Sequence, residues 1–219
     1  MLVSQFIETD FPRLSVLDKV SFALQMMEDY DLLDLPVVLD DKFSGIISKD
    51  DLLDADDTVL IGSMHHHFIR ASVLPDDHFL NAVKVADRFQ VSVVPVINKA
   101  GELLGIIRRK SLLHTLSIFC DVETPGGMIV LEMDKRNFSF GEISRLVETN
   151  DAHITQLNSY TEPSTGLFIV SIKTNKVEIS DIVATLQRYD YTIRFYFGEE
   201  HYENELKENY DLLMTYLRM

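Results

Sequence analysis

The run Gly45-Ile46-Ile47-Ser48-Lys49-Asp50-Asp51-Leu52 concentrates the most usable chemistry in this sequence. A hydroxyl three residues after the glycine and a carboxylate three further on would meet at the start of a helix. A carboxylate there can accept a pair of hydroxyl hydrogens, and a helix amino end favours a nearby phosphate. The same Ser48-x-x-Asp51 spacing before Leu52-Leu53 is also a capping pattern, needed by a helix without any ligand. The residues support both readings, and the two are compatible. A related run follows at Gly105-Ile106-Ile107-Arg108-Arg109-Lys110-Ser111-Leu112, where Arg108 stands in place of the hydroxyl residue and Ser111 in place of the carboxylate. Three consecutive cations at a helix start oppose its macrodipole, at about 0.3–1 kcal/mol per exposed charge. A compensating group is therefore expected.

Other reactive side chains do not assemble into a catalytic set. His65-His66-His67 are ligand types for zinc, copper and nickel, but consecutive residues do not converge on one ion in a regular helix or strand, and no cysteine lies nearby. The triplet reads as a polar linker, with no metal site. Cys120, the single cysteine, lacks an obvious activating cation and has no partner for a disulfide, which fits a reducing cytoplasm. There is no phosphate-binding glycine loop with lysine, no Gly-x-Ser-x-Gly and no His-Glu-x-x-His. The expectation is a protein that is not an enzyme, with no catalytic residues and no required cofactor.

The elements that position the two runs come from an internal repeat. Leu35-Pro36-Val37-Val38, Gly45-Ile46-Ile47 and Leu52-Leu53 recur as Val94-Pro95-Val96-Ile97, Gly105-Ile106-Ile107 and Leu112-Leu113. The prolines are 59 residues apart and the glycines 60, which puts a one-residue insertion in the turn, where Asp40-Asp41-Lys42 faces Asn98-Lys99-Ala100-Gly101. Val20, Ala23, Leu24 and Met27 fall on one helical face, and Phe79, Ala82, Val83 and Ala86 repeat it. Each unit reads as a helix, a strand entered through proline, a hairpin, a second apolar strand and a closing helix.

These two units, about residues 14–53 and 71–113, resemble a tandem pair of cystathionine-β-synthase (CBS) domains, which would occupy residues 1–120. The resemblance implies two sheets about a pseudo-twofold axis and clefts that commonly hold an adenine nucleotide (AMP, ADP or ATP). Carried over by motif, Ser48 and Asp51 become ribose ligands, and Asp34, Leu35 and Pro36 lie against the adenine. The second repeat departs from the pattern at Arg108 and Ser111, so an equivalent second nucleotide site is doubtful. Arg108 is expected instead to reach, across the pseudo-twofold axis, the phosphates of a nucleotide whose ribose sits on Asp51. Solvated charges without a ligand are the alternative.

Beyond Glu123-Thr124-Pro125-Gly126-Gly127 the pattern changes to strand, helix, strand, strand, helix, strand over residues 124–199. Met128 to Met133 is a short strand, and Ser139 is a candidate N-cap for a helix marked by Phe140, Ile143, Leu146 and Val147. His153 to Tyr160 and Leu167 to Thr174 are strands around a turn. Ile179, Ile182, Val183 and Leu186 mark a second helix before a strand with Ile193, Phe195 and Phe197. This order is ferredoxin-like. Behind a CBS pair it resembles an ACT domain, and the whole resembles bacterial acetoin-utilisation-type CBS-ACT proteins. Asp134-Lys135-Arg136-Asn137-Phe138-Ser139 lacks the Pro and Gly of that family's amino-acid loop, which favours a dimerising or relaying role. Residues 200–219 place Tyr202, Leu206, Tyr210, Leu213 and Leu217 on one face of a C-terminal helix.

The expected fold class is thus α+β. The net charge of −15, with 35 acidic against 20 basic side chains, argues against partners that are nucleic acid or anionic membrane. The 13 Phe and 8 Tyr argue for a folded core. No run approaches 18 apolar residues, and MLVSQFIETDFPR has no leader pattern. Residues 61–120 are mildly basic, with 7 bases to 4 acids, between two acidic stretches. The functional expectation is a cytoplasmic, homodimeric regulatory protein that senses an adenine nucleotide through its CBS pair and passes the signal through the ACT-like unit to an unknown regulated partner. Its rival is a ligand-free structural and dimerisation protein.

Overall fold

The computed structural model describes residues 1–198 and divides the chain into two compact units, Met1–Ser117 and a second beginning at Ile118. The helix expected over residues 200–219 lies outside the described residues.

The first unit carries β1 (Leu14–Ser15), α1 (Val20–Asp29), β2 (Asp34–Leu39), β3 (Lys42–Ser48) and α2 (Lys49–Leu53), then α3 (Phe79–Phe89), β4 (Val93–Ile97), β5 (Leu103–Arg108) and α4 (Arg109–Phe119). The repeat is visible in the pairing. β2 and β3 form an antiparallel hairpin with Pro36 opposite Ile46, and β4 and β5 form another with Pro95 opposite Ile106. Leu14 pairs in parallel with Val37, and Val73 with Val96. The one-residue insertion lies in the turn, as its spacing predicts. Asp40 and Asp41, with φ of 51° and 61°, make the tight first turn, while the longer second turn uses Gly101 at φ 83°. Asp tolerates that left-handed conformation better than most residues, and glycine pays no Cβ cost for it.

The two repeats exchange segments. Residues that precede the first repeat run along β5 of the second, where Glu8 N donates to Ile106 O at 2.9 Å and Ile106 N donates to Glu8 O at 3.1 Å. Residues that precede the second repeat run along β3 of the first, where Ile46 and Ile69 exchange the same two bonds at 2.9 Å each. The motif glycines make these approaches possible. A Cβ on Gly105 would lie 2.3 Å from Ile7 Cγ2 and 2.6 Å from Glu8 O, and one on Gly45 would lie 2.6 Å from Phe68 Cβ. The cores mix accordingly. Val93 and Ile106 of the second repeat are buried among Leu14, Val20, Leu35 and Ile47, whereas Val3 and Ile46 are buried with Ala82, Val94 and Ile107.

The second unit contains β6 (Met128–Met133), α5 (Phe140–Glu148), β7 (Ile154–Thr161), β8 (Phe168–Thr174), α6 (Ser180–Arg188) and β9 (Thr192–Phe197). Its sheet is antiparallel in the order β7-β8-β6-β9, the ferredoxin-like arrangement that the alternation of elements predicts. Ser139 caps α5, its hydroxyl accepting from Glu142 N at 3.3 Å. Ile143, Leu146 and Val147 from α5 and Ile182, Val183 and Leu186 from α6 bury one sheet face with Ile129, Leu131, Val170 and Ile172. The chain is therefore α+β, with the repeat in one unit and a four-stranded sheet in the other.

Gly105→Ala must push a backbone carbonyl away, and overpacking of this kind costs about 1–3 kcal/mol. Gly141 in α5 has nothing within 4 Å of a would-be Cβ, so Gly141→Ala is expected to stabilise by about 0.4–1 kcal/mol. Urea midpoints of opposite sign for the two variants are the expected result.

Candidate functional site

Ser48 ends β3 and is the N-cap of α2. Its hydroxyl accepts from Asp51 N at 3.2 Å and donates to Asp51 Oδ2 at 2.5 Å. The N-cap is therefore formed by Ser48, while Asp51 accepts from the Ser48 hydroxyl in place of the backbone N–H that completes a capping box. The second carboxylate oxygen of Asp51, Oδ1, lies 2.9 Å from His67 Nδ1. His67 arrives on the exchanged segment, just before Phe68 covers Gly45. The triplet is thus more than a linker: one of its rings is a partner of the candidate ribose carboxylate. A sequence signal existed, since the repeat places residues 65–70 as the lead-in to the second unit. It became informative only once the lead-ins were seen to cross.

Asp34 begins β2 directly opposite Ser48. The residue is 5% exposed, and its Oδ2 accepts from Ser92 N of the second repeat at 2.6 Å. Leu35 is fully buried in the core and Pro36 is buried beside it. The side chains of Asp34, Leu35 and Pro36 therefore hold the interior together, and the main chain at the start of β2 is the part a base could lie against. Ser92 Oγ is buried without a hydrogen-bond partner among the described residues, a rare and costly state for a hydroxyl.

Among the described residues, Arg108 does not join Ser48 and Asp51 in any of its hydrogen bonds. Its Nε donates to Glu8 Oε2 at 2.8 Å, and its guanidinium also approaches Tyr30 O at 3.5 Å. Ser111 Oγ donates to Glu8 Oε1 at 3.3 Å. Arg109 gives two bonds to Val91 O, at 2.8 and 3.1 Å. The compensation expected at this helix start therefore exists: Glu8 pairs Arg108, and a backbone carbonyl takes Arg109. Glu8 was missed because its role depends on a segment exchange, which residue spacing does not reveal.

The second unit has a cleft of about 400 Å³ beside the loop after β6, with Asp134, Asn137, Glu142, Asp190 and Tyr191 in its lining. Asp134 is held well below the usual carboxylate range, at about 2, by the Arg136 guanidinium at 2.8 Å and by Arg136 N. Burial, with a smaller contribution from its bond to Glu142 Oε2 at 2.9 Å, raises Tyr191 to about 12.

The CBS domain family model matches residues 3–58 and 61–118, one match per repeat and more than half of the chain together. The chain belongs to the CBS-domain family. A CBS domain pair/ACT domain protein from Thermotoga maritima has a similar fold, with a TM-score of 0.50 and 23% identity over 54% of this chain and 98% of that one. An acetoin utilization protein from Vibrio cholerae is 21% identical with a TM-score of 0.49, over 56% of this chain and 95% of that one. Among curated proteins, an inosine-5'-monophosphate dehydrogenase from Korarchaeum cryptofilum is 27% identical over 109 residues, 50% of this chain and 23% of that protein. The CBS-family chain therefore spans less than a quarter of that relative. Its second unit rests on its own topology.

Asp34→Ala removes the acceptor for Ser92 N, and an orphaned buried donor costs about 1–3 kcal/mol. Asp34→Asn retains an acceptor and should recover part of the loss in thermal melts. Tyr191 is neutral in the folded protein until the pH passes its raised value, so its contribution is complete below pH 10 and lost as pH rises toward 12. Difference titration against Tyr191→Phe should show one phenol ionising near 12, and Glu142→Gln should lower that value.

Proposed function

We propose that the CBS pair binds an adenine nucleotide at the Ser48–Asp51 corner, and that this protein is a non-enzymatic regulator whose ligand biases the arrangement it presents to a partner or to a second copy of itself. The observation that carries the reading is the Asp51 carboxylate. It is fixed at the start of α2 by Ser48, which pairs with Asp34 at the beginning of β2, and has its second oxygen 2.9 Å from a surface histidine. A carboxylate so fixed can accept both ribose hydroxyl hydrogens, and membership of the CBS family agrees with that use. His67 then acts as the placeholder that the ribose displaces or joins. No helix among the described residues is long and apolar enough to cross a membrane. Regulation requires the nucleotide to bind two arrangements unequally; binding alone shifts nothing.

A second reading is a structural protein that holds no ligand. The observation in its favour is that Ser48, Asp51 and His67 satisfy one another without a ligand. The ferredoxin-like unit would serve association or signal relay in either reading, as an ACT-like domain.

Titration calorimetry with AMP, ADP and ATP on the full chain separates the two. The expected result is binding by the wild type and at least about a tenfold loss in Asp51→Ala, the weight of one or two charge-assisted bonds. No binding by the wild type would favour the structural reading, and unchanged affinity in Asp51→Ala would overturn the Ser48–Asp51 site.

A further inference from the structure

The sheet of the second unit packs its helices against one face only. Ile129, Leu131 and Ile193 face α5 and α6 and pack in their core. Their strand neighbours point to the other face, because side chains alternate along a strand. There Met128 lies between Lys173 and Phe197, and Val130 between Ser171 and Phe195. This second face has two parts. Lys173 is 8% exposed and its Nζ donates to Asp121 O, so the chain that leads into the unit covers the β8 side. Over β6 and β9 the face meets solvent, with Phe195 55% exposed, Phe197 51% and Met128 40%. Two half-exposed phenylalanines beside a methionine form an apolar patch of the kind that marks an interaction surface.

β9 is an edge strand of this sheet, and 21 residues of the sequence follow Gly198. Among them Tyr202, Leu206, Tyr210, Leu213 and Leu217 share one helical face, while Asn204, Glu208, Asp211 and Thr215 fall on the opposite one. As a helix, residues 202–217 would span about 24 Å, against about 20 Å for the strand beside them. Residues 199–201 form the join, a connection length usual between packed elements. The sheet's other face is already filled by α5 and α6, which leaves the open one for an apolar segment on so short a tether. Such a segment is held near that face at roughly millimolar effective concentration. A second copy of the chain takes its place only by binding more tightly than that.

We propose that residues 202–217 form an amphipathic helix that lies on the open face of this sheet, over Met128, Val130, Phe195 and Phe197. The polar side of the helix stays in water. While the segment is docked, the face is closed to a second copy and to any other partner. The inference is independent of nucleotide binding by the first unit.

The sequence has no tryptophan, so Phe197→Trp in the full-length protein is a single reporter on this face, with Phe195→Trp as a second should the first disturb the strand. Acrylamide quenching is read for each reporter alone, with Leu206→Asp/Leu213→Asp, and with the opposite-side pair Asn204→Asp/Thr215→Asp. The expected result is a shielded tryptophan that becomes exposed in the leucine pair and stays shielded in the opposite-side pair. Loss of two buried leucines shifts the ratio of docked to undocked segment by about a hundredfold, enough to remove the shielding. Repeating the measurement on dilution identifies the occupant. Shielding that is independent of concentration supports the tethered segment; shielding that falls as an oligomer dissociates assigns the face to a second copy and overturns the proposal. Reporters that are already exposed without the aspartates, no loss of shielding in the leucine pair, or equal loss in both pairs overturns it as well.

Discussion

The exchange of lead-in segments between the repeats is the constraint on which the first unit depends. Each lead-in supplies two backbone hydrogen bonds to the other repeat's second strand, Glu8 with Ile106 and Ile69 with Ile46. Each lies where only a glycine leaves room, at Gly105 and Gly45. Backbone groups buried this deeply must be paired, so neither repeat can complete its sheet edge alone. The mixing of Val93 and Ile106 into one core, and of Val3 and Ile46 into the other, follows from the same crossing. Asp34 adds a polar stitch by holding Ser92 N across the two repeats.

The exchange also explains the composition of the two corners. A helix start that follows a Gly-Ile-Ile strand has one neighbour from its own repeat and one from the other. In the first repeat the acid is on the helix as Asp51, and the crossing segment brings His67. In the second the basic and hydroxyl groups are on the helix side as Arg108 and Ser111, and the crossing segment brings the acid, Glu8. The polarity is inverted, and the crossing residues that meet the helix start differ, since Glu8 is the counterpart of Ile69 and His67 lies two residues before it.

Much of this architecture was legible in the sequence because it depends on local rules. Period-2 and period-3.6 apolar patterns, the strand prolines, the Ser48 and Ser139 caps and the one-residue turn insertion all act over a few residues. The strand-helix order of the second unit was legible for the same reason. The partners at the candidate site were less so. Asp51 was found from its spacing to Ser48, but His67 is 16 residues away and Glu8 is 100 residues from Arg108. Their contacts depend on which sheet edge a segment joins, and no periodicity records that choice. Asp34 illustrates the same limit, since its place in the family motif implied a ligand contact while its carboxylate accepts from Ser92 N.

Charge counted along the chain has to be read through the same contacts. The second repeat is basic by composition, which suggested a positive surface waiting for the phosphates of a nucleotide seated on Asp51. Yet Arg108 is neutralised by Glu8, from the acidic first stretch, and Arg109 spends its donors on Val91 O. A guanidinium already paired at 2.8 Å offers an incoming anion an exchange of partners, and its net gain is the difference between two similar bonds. An excess of bases over acids in a stretch of sequence becomes affinity only at positions where the fold has left a donor unspent.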